Sequence, residues 1–326
     1  MNSFTKKLPF FIFPALLILV VGGSLITGQY RISLFNHDST SLLILWELRL
    51  PRILIALCMG ACLGVSGTIL QGIFKNPLAD PYILGTSSGA ALAATFSFLT
   101  GQSLALWVTP AFAMIGAIAT TALVLVLGRD AFGLRTERLL LAGVGIGFFF
   151  SALLLLVMSL AKSDGLKRAL LWMSGDLGSA DSSMLLFAVI LMVIGVTIGL
   201  ARHRGLNALA LGDEMAHGLG LNPGRERIWL VIAASLLTAA SVALGGIVGF
   251  VGLMVPHVVR SMCGADVKKV IPLAALGGAI LVCLADTIGR SILPPLEIPA
   301  GIVTALIGAP WFLVILRSYG RGGGLQ

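Results

Sequence analysis

The chain has 326 residues, of which 57% are hydrophobic and 11% charged, with a formal net charge of +8. Those proportions exclude a soluble domain of ordinary composition and leave an all-α polytopic membrane protein, read as a single transmembrane domain over 1–326. The positive charge admits a polyanionic partner until the positions of the basic residues are considered.

A spanning helix needs about 20 mostly apolar residues, because a helix satisfies its own backbone hydrogen bonds within a hydrocarbon core about 30 Å thick. Windows at 8–26, 53–73, 83–99, 104–127, 139–160, 184–200, 228–244, 247–262, 270–285 and 298–316 meet that need, which predicts ten transmembrane helices. The first window follows Lys6 and Lys7 as a signal peptide would. Its apolar run is longer than a signal core and no small-x-small cleavage site follows, so it reads as an uncleaved anchor. Cys58 and Cys62 share a helix face, and with Cys263 and Cys283 they sit in apolar surroundings as small hydrophobes; no disulfide framework, metal site or cofactor is expected.

Glycines recur inside the spans, at Gly60, Gly64 and Gly67, at Gly143, Gly145 and Gly147, and at Gly245, Gly246, Gly249 and Gly252. In lipid, small residues let helix backbones approach, and packing accounts for these clusters. The Gly143 to Gly147 group also offers a place for a helix to bend beside a pathway. Between spans, 166–173 with Lys167, Arg168 and Trp172 predicts a short interfacial helix. The stretch between Leu200 and Ile228 predicts an amphipathic helix near 211–220. There Leu211, Met215 and Leu219 recur at four-residue steps, Asp213 and Glu214 occupy the first turn, and Gly218, Gly220 and Asn222-Pro223 end it. That helix either covers the membrane surface or offers its apolar stripe to a partner.

With ten spans and an inner N-terminus, fifteen basic residues fall inside, among them Lys75, Arg135, Arg202, Arg227 and Arg260. Seven fall outside: Arg31, Arg49, Arg52, Lys162, Lys167, Arg168 and Arg290. The asymmetry obeys the positive-inside rule, puts both termini in the cytoplasm, and makes the charge a report on orientation, with no nucleic-acid partner.

All fourteen carboxylates fall in predicted loops or at segment ends. Ion-coupled carriers usually keep a costly intramembrane acid, so an ion-coupled secondary transporter is the disfavoured alternative, with backbone carbonyls as its remaining route to sodium. The chain also contains no phosphate-binding G-x-x-x-x-G-K-[ST] loop, so energy for uphill transport has to come from a separate ATPase. His257 is the one histidine in a span, and no serine elbow pairs with it, which argues against a hydrolase. With Arg260 it is expected on one face of a helix kinked at Pro256.

An ordered set of strings then brings a family into view: Arg49-Leu50-Pro51-Arg52, Gly67 to Gln71, Asn76-Pro77-Leu78-Ala79-Asp80-Pro81, Leu139 to Val144, Trp172-Met173-Ser174-Gly175, Gly212-Asp213 to Gly220, Gly249 to His257, Asp286 to Arg290, and Glu297 to Pro310. Together they resemble the permease subunit of type II ABC importers for iron chelates (ferric siderophores), haem and vitamin B12 (cobalamin), over essentially the whole chain. The resemblance implies a homodimer of ten-helix subunits in a bacterial inner (plasma) membrane, two cytoplasmic ATPase subunits, and a periplasmic or lipid-anchored substrate-binding protein outside. It further implies that Asp213, Glu214, His217 and Leu219 meet the ATPase, and that Arg49, Arg52 and Arg290 grip carboxylates of the binding protein. Asn76, Leu78, Thr136 and Glu137 are implied to close the cytoplasmic gate. Glu137 departs from the small hydroxyl residue associated with its position. Arg290 also lies i, i+4 from Asp286, and Arg49 lies near Glu47, so local pairing competes with docking for both.

Overall fold

A computed structural model describes residues 8–28, 39–99, 107–130, 133–160, 163–179 and 182–321. Lys6, Lys7, Arg31 and Lys162 lie outside the described residues. Helices corresponding to all ten predicted windows are present: α1 (Pro9–Ile26), α3 (Leu50–Ile73), α4 (Thr86–Leu99), α5 (Val108–Leu127), α6 (Thr136–Ser159), α8 (Leu185–Ala201), α11 (Pro223–Gly245), α12 (Val251–Cys263), α13 (Val267–Gly289) and α14 (Ala300–Arg321). Four shorter helices lie between them: α2 (Ser39–Leu43), α7 (Ser163–Met173), α9 (His203–Leu211) and α10 (Asp213–Gly218). Seven of the apolar helices are long enough to cross a membrane by length and composition, while α12 and the apolar part of α14 are shorter.

The centre of the bundle is α3, which a π-helical turn at Ile44–Arg49 joins to α2 as one apolar run over Ser41–Ile73. This run starts twelve residues before the predicted window, because Glu47, Arg49 and Arg52 lower the local hydropathy although Arg49 and Arg52 are held inside the protein. The glycine face of α3 explains its position. A Cβ at Gly60 would strike the Gly278 carbonyl, one at Gly64 the Ala274 carbonyl, and one at Gly67 the Gly252 carbonyl, so backbone lies on backbone along α13 and α12. On another face, the Ser66 hydroxyl donates to the Ala234 carbonyl at 3.0 Å and lies 2.8 Å from Thr238 Oγ1, which adds a polar tie to α11.

The chain leaves helical geometry at two places inside the bundle. After α3 it turns through Asn76–Pro81, and Asp80 accepts the Tyr82 N–H at 2.9 Å to cap the single 3₁₀ turn Pro81–Leu84. Between α11 and α12, Gly246 (φ +79°) and Phe250 (φ +66°) bracket a non-helical segment. The break predicted at Gly245 and Gly246 is therefore real and several residues long. The two irregular segments satisfy each other: Tyr82 Oη accepts the Val248 N–H at 3.2 Å and lies 3.3 Å from the Val248 carbonyl. Non-helical backbone at membrane depth persists where protein supplies such partners.

α6 runs unbroken through Gly143 to Gly147, from Thr136 to Ser159. Gly143 instead makes room for the 3₁₀ turn, because a Cβ there would meet the Ile83 carbonyl. Trp172 is 7% exposed, packed against the α11–α12 break. The guanidinium of Arg168 lies 5.9 Å from the Phe98 ring centroid.

Candidate functional site

Polar side chains gather at the two ends of the bundle, and the partition matches the sidedness expected from charge. At the end where α3 finishes and α6 and α11 begin, Phe74, Lys75, Arg135, Thr136, Glu137, Asp213 and Arg227 line a cavity of about 360 Å³. Every one of the charged residues named there was assigned to the inner face.

Arg227 organises this end. It follows Pro223 and the Asn222 cap in the first turn of α11, where Asn222 Oδ1 accepts the Arg225 N–H at 3.1 Å. Its guanidinium is buried and donates to the Leu134 carbonyl at 2.9 Å and to Asp213 Oδ1. Lys75, just past α3, lies 3.4 Å from the same Asp213 oxygen. Three segments distant in sequence thus meet on one carboxylate. The Asp213 carboxyl is held below the usual carboxylate range, mainly by its hydrogen bond to Arg227 and further by both cations.

Asp213 opens α10. The single amphipathic helix expected near 211–220 is in fact an elbow: α9 ends at Leu211, Gly212 takes φ +130°, and α10 starts at Asp213. Glycine tolerates that backbone where a residue with a Cβ is strained. The inner side of the elbow is pinned. Leu206 packs on Gly72 of α3, and Asn207 Oδ1 accepts the Val267 N–H at 3.1 Å, capping α13. Arg202 pairs with Glu226 at 2.9 Å and stands 5.7 Å from the Trp229 ring centroid. The outer side is bare, with Leu211, Met215 and Leu219 being 72%, 54% and 63% exposed. Glu214 and His217 are exposed on the same short helix, and Ala216 is its buried contact. The turn closes with Gly220 at φ +76°, where Leu221 N–H reaches the Ala216 carbonyl at 3.0 Å and Gly220 N–H the His217 carbonyl at 2.9 Å.

Of the residues expected at a gate, Asn76 caps its own turn by accepting the Leu78 N–H at 2.9 Å, and Leu78 is 36% exposed. Thr136 and Glu137 form the first turn of α6 and face the cavity; the Thr136 hydroxyl oxygen is buried with no hydrogen-bond partner. The structure therefore brings Thr136, Glu137, Asp213 and Lys75 around one space, with Asn76 and Leu78 on the adjoining turn.

At the opposite end, Arg52 donates from Nε and Nη2 to Asp286, at 2.9 and 2.7 Å, and from Nη1 to Glu297 at 2.7 Å. Arg290 Nε lies 3.6 Å from Asp286, and Arg290 also donates to the Ser24 carbonyl and hydroxyl. Arg49 donates to the Leu25 carbonyl. Two guanidinium groups thus terminate α1, where exposed carbonyls favour cations. Arg49 and Arg290 are each 5% exposed, so the three arginines expected to grip an outside partner are engaged within the chain. Of the two local pairings weighed for these residues, Arg290 with Asp286 forms, and α1 supplies a partner for Arg49. One boundary also has to be corrected. The prediction put Asp286 past the end of its span, but α13 continues to Gly289 and Asp286 is 2% exposed, because its pairing with two arginines allows the helix to run on.

His257 sits beside Pro256 in α12, edge-on to Trp311 at 5.6 Å between centroids, while Arg260 turns to the Gln71 side chain and the Thr68 carbonyl. Among the described residues no cluster of three or more His, Cys, Asp or Glu is arranged to hold a metal. Arg227, Tyr82 and Glu297 had no place in the sequence-based site. The partners of Arg227 and Tyr82 are 14 or more residues away, and no local spacing signals such pairs.

The family model of the FecCD transport family matches residues 10–318. The haemin transport permease of Yersinia pestis is 41% identical over 313 residues, covering 93% of each chain. The ferric dicitrate transport permease of Escherichia coli K12 is 40% identical over 273 residues, with 84% of this chain and 85% of the relative covered. A vitamin B12 import permease of Salmonella paratyphi A is 40% identical over 283 residues, with 86% and 85% covered. Among solved structures, a metal-chelate type ABC transporter in an inward-facing conformation superposes with a TM-score of 0.87 at 33% identity, covering 96% of this chain and 99% of its own.

Proposed function

Since the chain belongs to the FecCD transport family, with relatives that are transport permeases and not enzymes, we propose that it forms the membrane pathway of an ATP-driven importer for an iron chelate, a ferric siderophore, or a related large metal chelate such as haem or cobalamin. In this reading two copies enclose the pathway in a bacterial inner membrane with both termini in the cytoplasm. Two ATPase subunits dock inside and a substrate-binding protein docks outside.

The observation that carries this reading is the elbow of α9 and α10. Its exposed apolar stripe of Leu211, Met215 and Leu219 is the kind of surface a protein partner covers, and its inner side is tied to the gate segments. We assign Glu214, His217 and Leu219 to direct contact with the ATPase, and Asp213 to holding the elbow in place. Closure of the ATPases pushes the elbow, and the Asp213, Arg227 and Lys75 cluster passes the push to the ends of α3, α6 and α11. Thr136, Glu137, Asn76 and Leu78 line the exit, and the outer arginines receive the binding protein.

The test is uptake into liposomes holding the transporter co-purified with its ATPase, supplied with binding protein loaded with ferric siderophore, haem or cobalamin in separate trials. ATP-dependent accumulation of one chelate is expected. Accumulation driven by a proton or sodium gradient with the chain alone would overturn the reading in favour of a secondary carrier.

A further inference from the structure

The outer polar cluster is electrically closed. Arg49, Arg52 and Arg290 supply three positive charges, and Asp286, Glu297 and Asp176 supply three negative ones, with Asp176, Glu297 and Arg52 converging on Gly178. Each of these three arginines already has an acceptor within the chain, so among the described residues of this cluster a partner carboxylate meets no spare cation. It binds only by taking the place of a carboxylate already there, and the two acids on Arg52 differ sharply in how firmly they are held.

Asp286 is 2% exposed inside α13, engages two nitrogens of Arg52 and lies near Arg290. Glu297 is 33% exposed, sits in the turn before α14, and engages a single nitrogen, Nη1. That nitrogen is the arm of the Arg52 fork nearest solvent-exposed chain. We propose that Glu297 is an internal stand-in for the partner's carboxylate: a glutamate or aspartate of the docking protein displaces it from Arg52, so that docking is an exchange of ion pairs and not the addition of one. This deepens the docking role assigned above to Arg52 and rests on it.

The exchange has a structural consequence. Immediately after Glu297, Ile298 N–H bonds the Gly289 carbonyl at 3.0 Å and Ala300 N–H bonds the Gly175 carbonyl at 3.0 Å. A Cβ on Gly301 would press on the Ser174 and Ile247 carbonyls, so the start of α14 lies against the α11–α12 break. Giving up the contact between Glu297 and α3 therefore loosens the loop that positions α14 against the irregular segment within the membrane. Docking outside is then felt at the irregular segment between α11 and α12.

The probe is the soluble binding protein that co-purifies with the wild-type transporter, measured for affinity against the complete transporter in lipid nanodiscs. Glu297→Gln keeps the shape of the side chain and the Asp286 pair but removes the competing charge. It is expected to tighten binding about three- to five-fold at low salt, the scale of a partly exposed ion pair. That advantage is expected to shrink at about 0.5 M salt, where screening shortens to a few ångströms. Arg52→Ala, checked for intact insertion by size-exclusion, is expected to weaken binding at least ten-fold, because it removes the group that both carboxylates seek. If Arg52→Ala weakens binding while Glu297→Gln leaves it unchanged or weaker, the exchange is wrong and the docking role stands. If Arg52→Ala binds as wild type, or if no binding protein co-purifies, the docking role itself fails and the exchange falls with it.

Discussion

Asp213 and Arg227 are joined by an ion pair that links the start of α10 to the first turn of α11, and the arginine is buried while the aspartate faces the rim of the inner cavity. The same guanidinium reaches Leu134, ahead of α6, so one side chain ties the elbow to two separate spans. In the proposed mechanism a force applied to the elbow is transmitted through this joint.

Removing the joint should separate ATP hydrolysis from transport. Asp213→Asn is expected to retain membrane insertion and ATPase assembly yet import at least several-fold less cargo per ATP hydrolysed, because a neutral amide no longer anchors Arg227 and Lys75. The ratio of uptake to phosphate release in proteoliposomes reads this directly. A ratio equal to wild type would remove the joint from the mechanism.

The same pair sets a pH dependence. The native Asp213 carboxyl titrates below its usual range because of Arg227 and Lys75, whereas the unfolded carboxyl titrates near about 3.9. A lowered native value stabilises the folded state above the unfolded value, and this stabilisation is lost as pH falls through the native value. Thermal unfolding in detergent should therefore show a full and constant contribution from this pair between about pH 5 and 8, and a decline below about pH 4 that Asp213→Asn lacks. Parallel curves for the two proteins in acid would show that the pair is absent in solution.

Along α3, packing makes a sharp contrast between glycines. Gly64→Val would drive a side chain into the Ala274 backbone, and the expected cost exceeds about 3 kcal/mol, seen as loss of the folded fraction after detergent extraction. Gly145→Ala is expected to be neutral, since a Cβ there meets nothing within 4 Å. Equal losses for both would count against the backbone-on-backbone packing of α3 and α13.

Tyr82 is the bridge between the two irregular segments. Tyr82→Phe leaves the Val248 N–H and carbonyl without their side-chain partner, at a cost of about 1–3 kcal/mol. Resistance to unfolding by SDS titration should drop by that amount with the helical content unchanged before the transition.

Finally, Leu219→Ser on the bare side of the elbow removes apolar area that only a partner covers. The isolated permease should keep its stability within about 0.5 kcal/mol, while retention of the ATPase on co-purification should fall several-fold. A destabilised permease with normal ATPase retention would place Leu219 in the fold and not at the interface.

The spans and their approximate number were legible in the sequence because they depend on composition summed over windows of about twenty residues, which burial in lipid rewards wherever the chain goes. The interruption at Gly245 and Gly246, the short helix near 166–173 and a helix near 211–220 were legible for a related reason, since glycine and proline act on their own backbone, while the elbow at Gly212 and the helix 203–211 ahead of it were not. The charged joints were not. Arg52 with Asp286 lies 234 residues apart and Arg227 with Asp213 14 apart, so each was read as a solvated loop residue or a docking group. Only the packed bundle decides these, because an ionisable group at a membrane border is stable inside the protein when a distant helix brings its counter-charge within hydrogen-bond reach. Hydropathy registers the cost of such a group and is blind to the partner that offsets it.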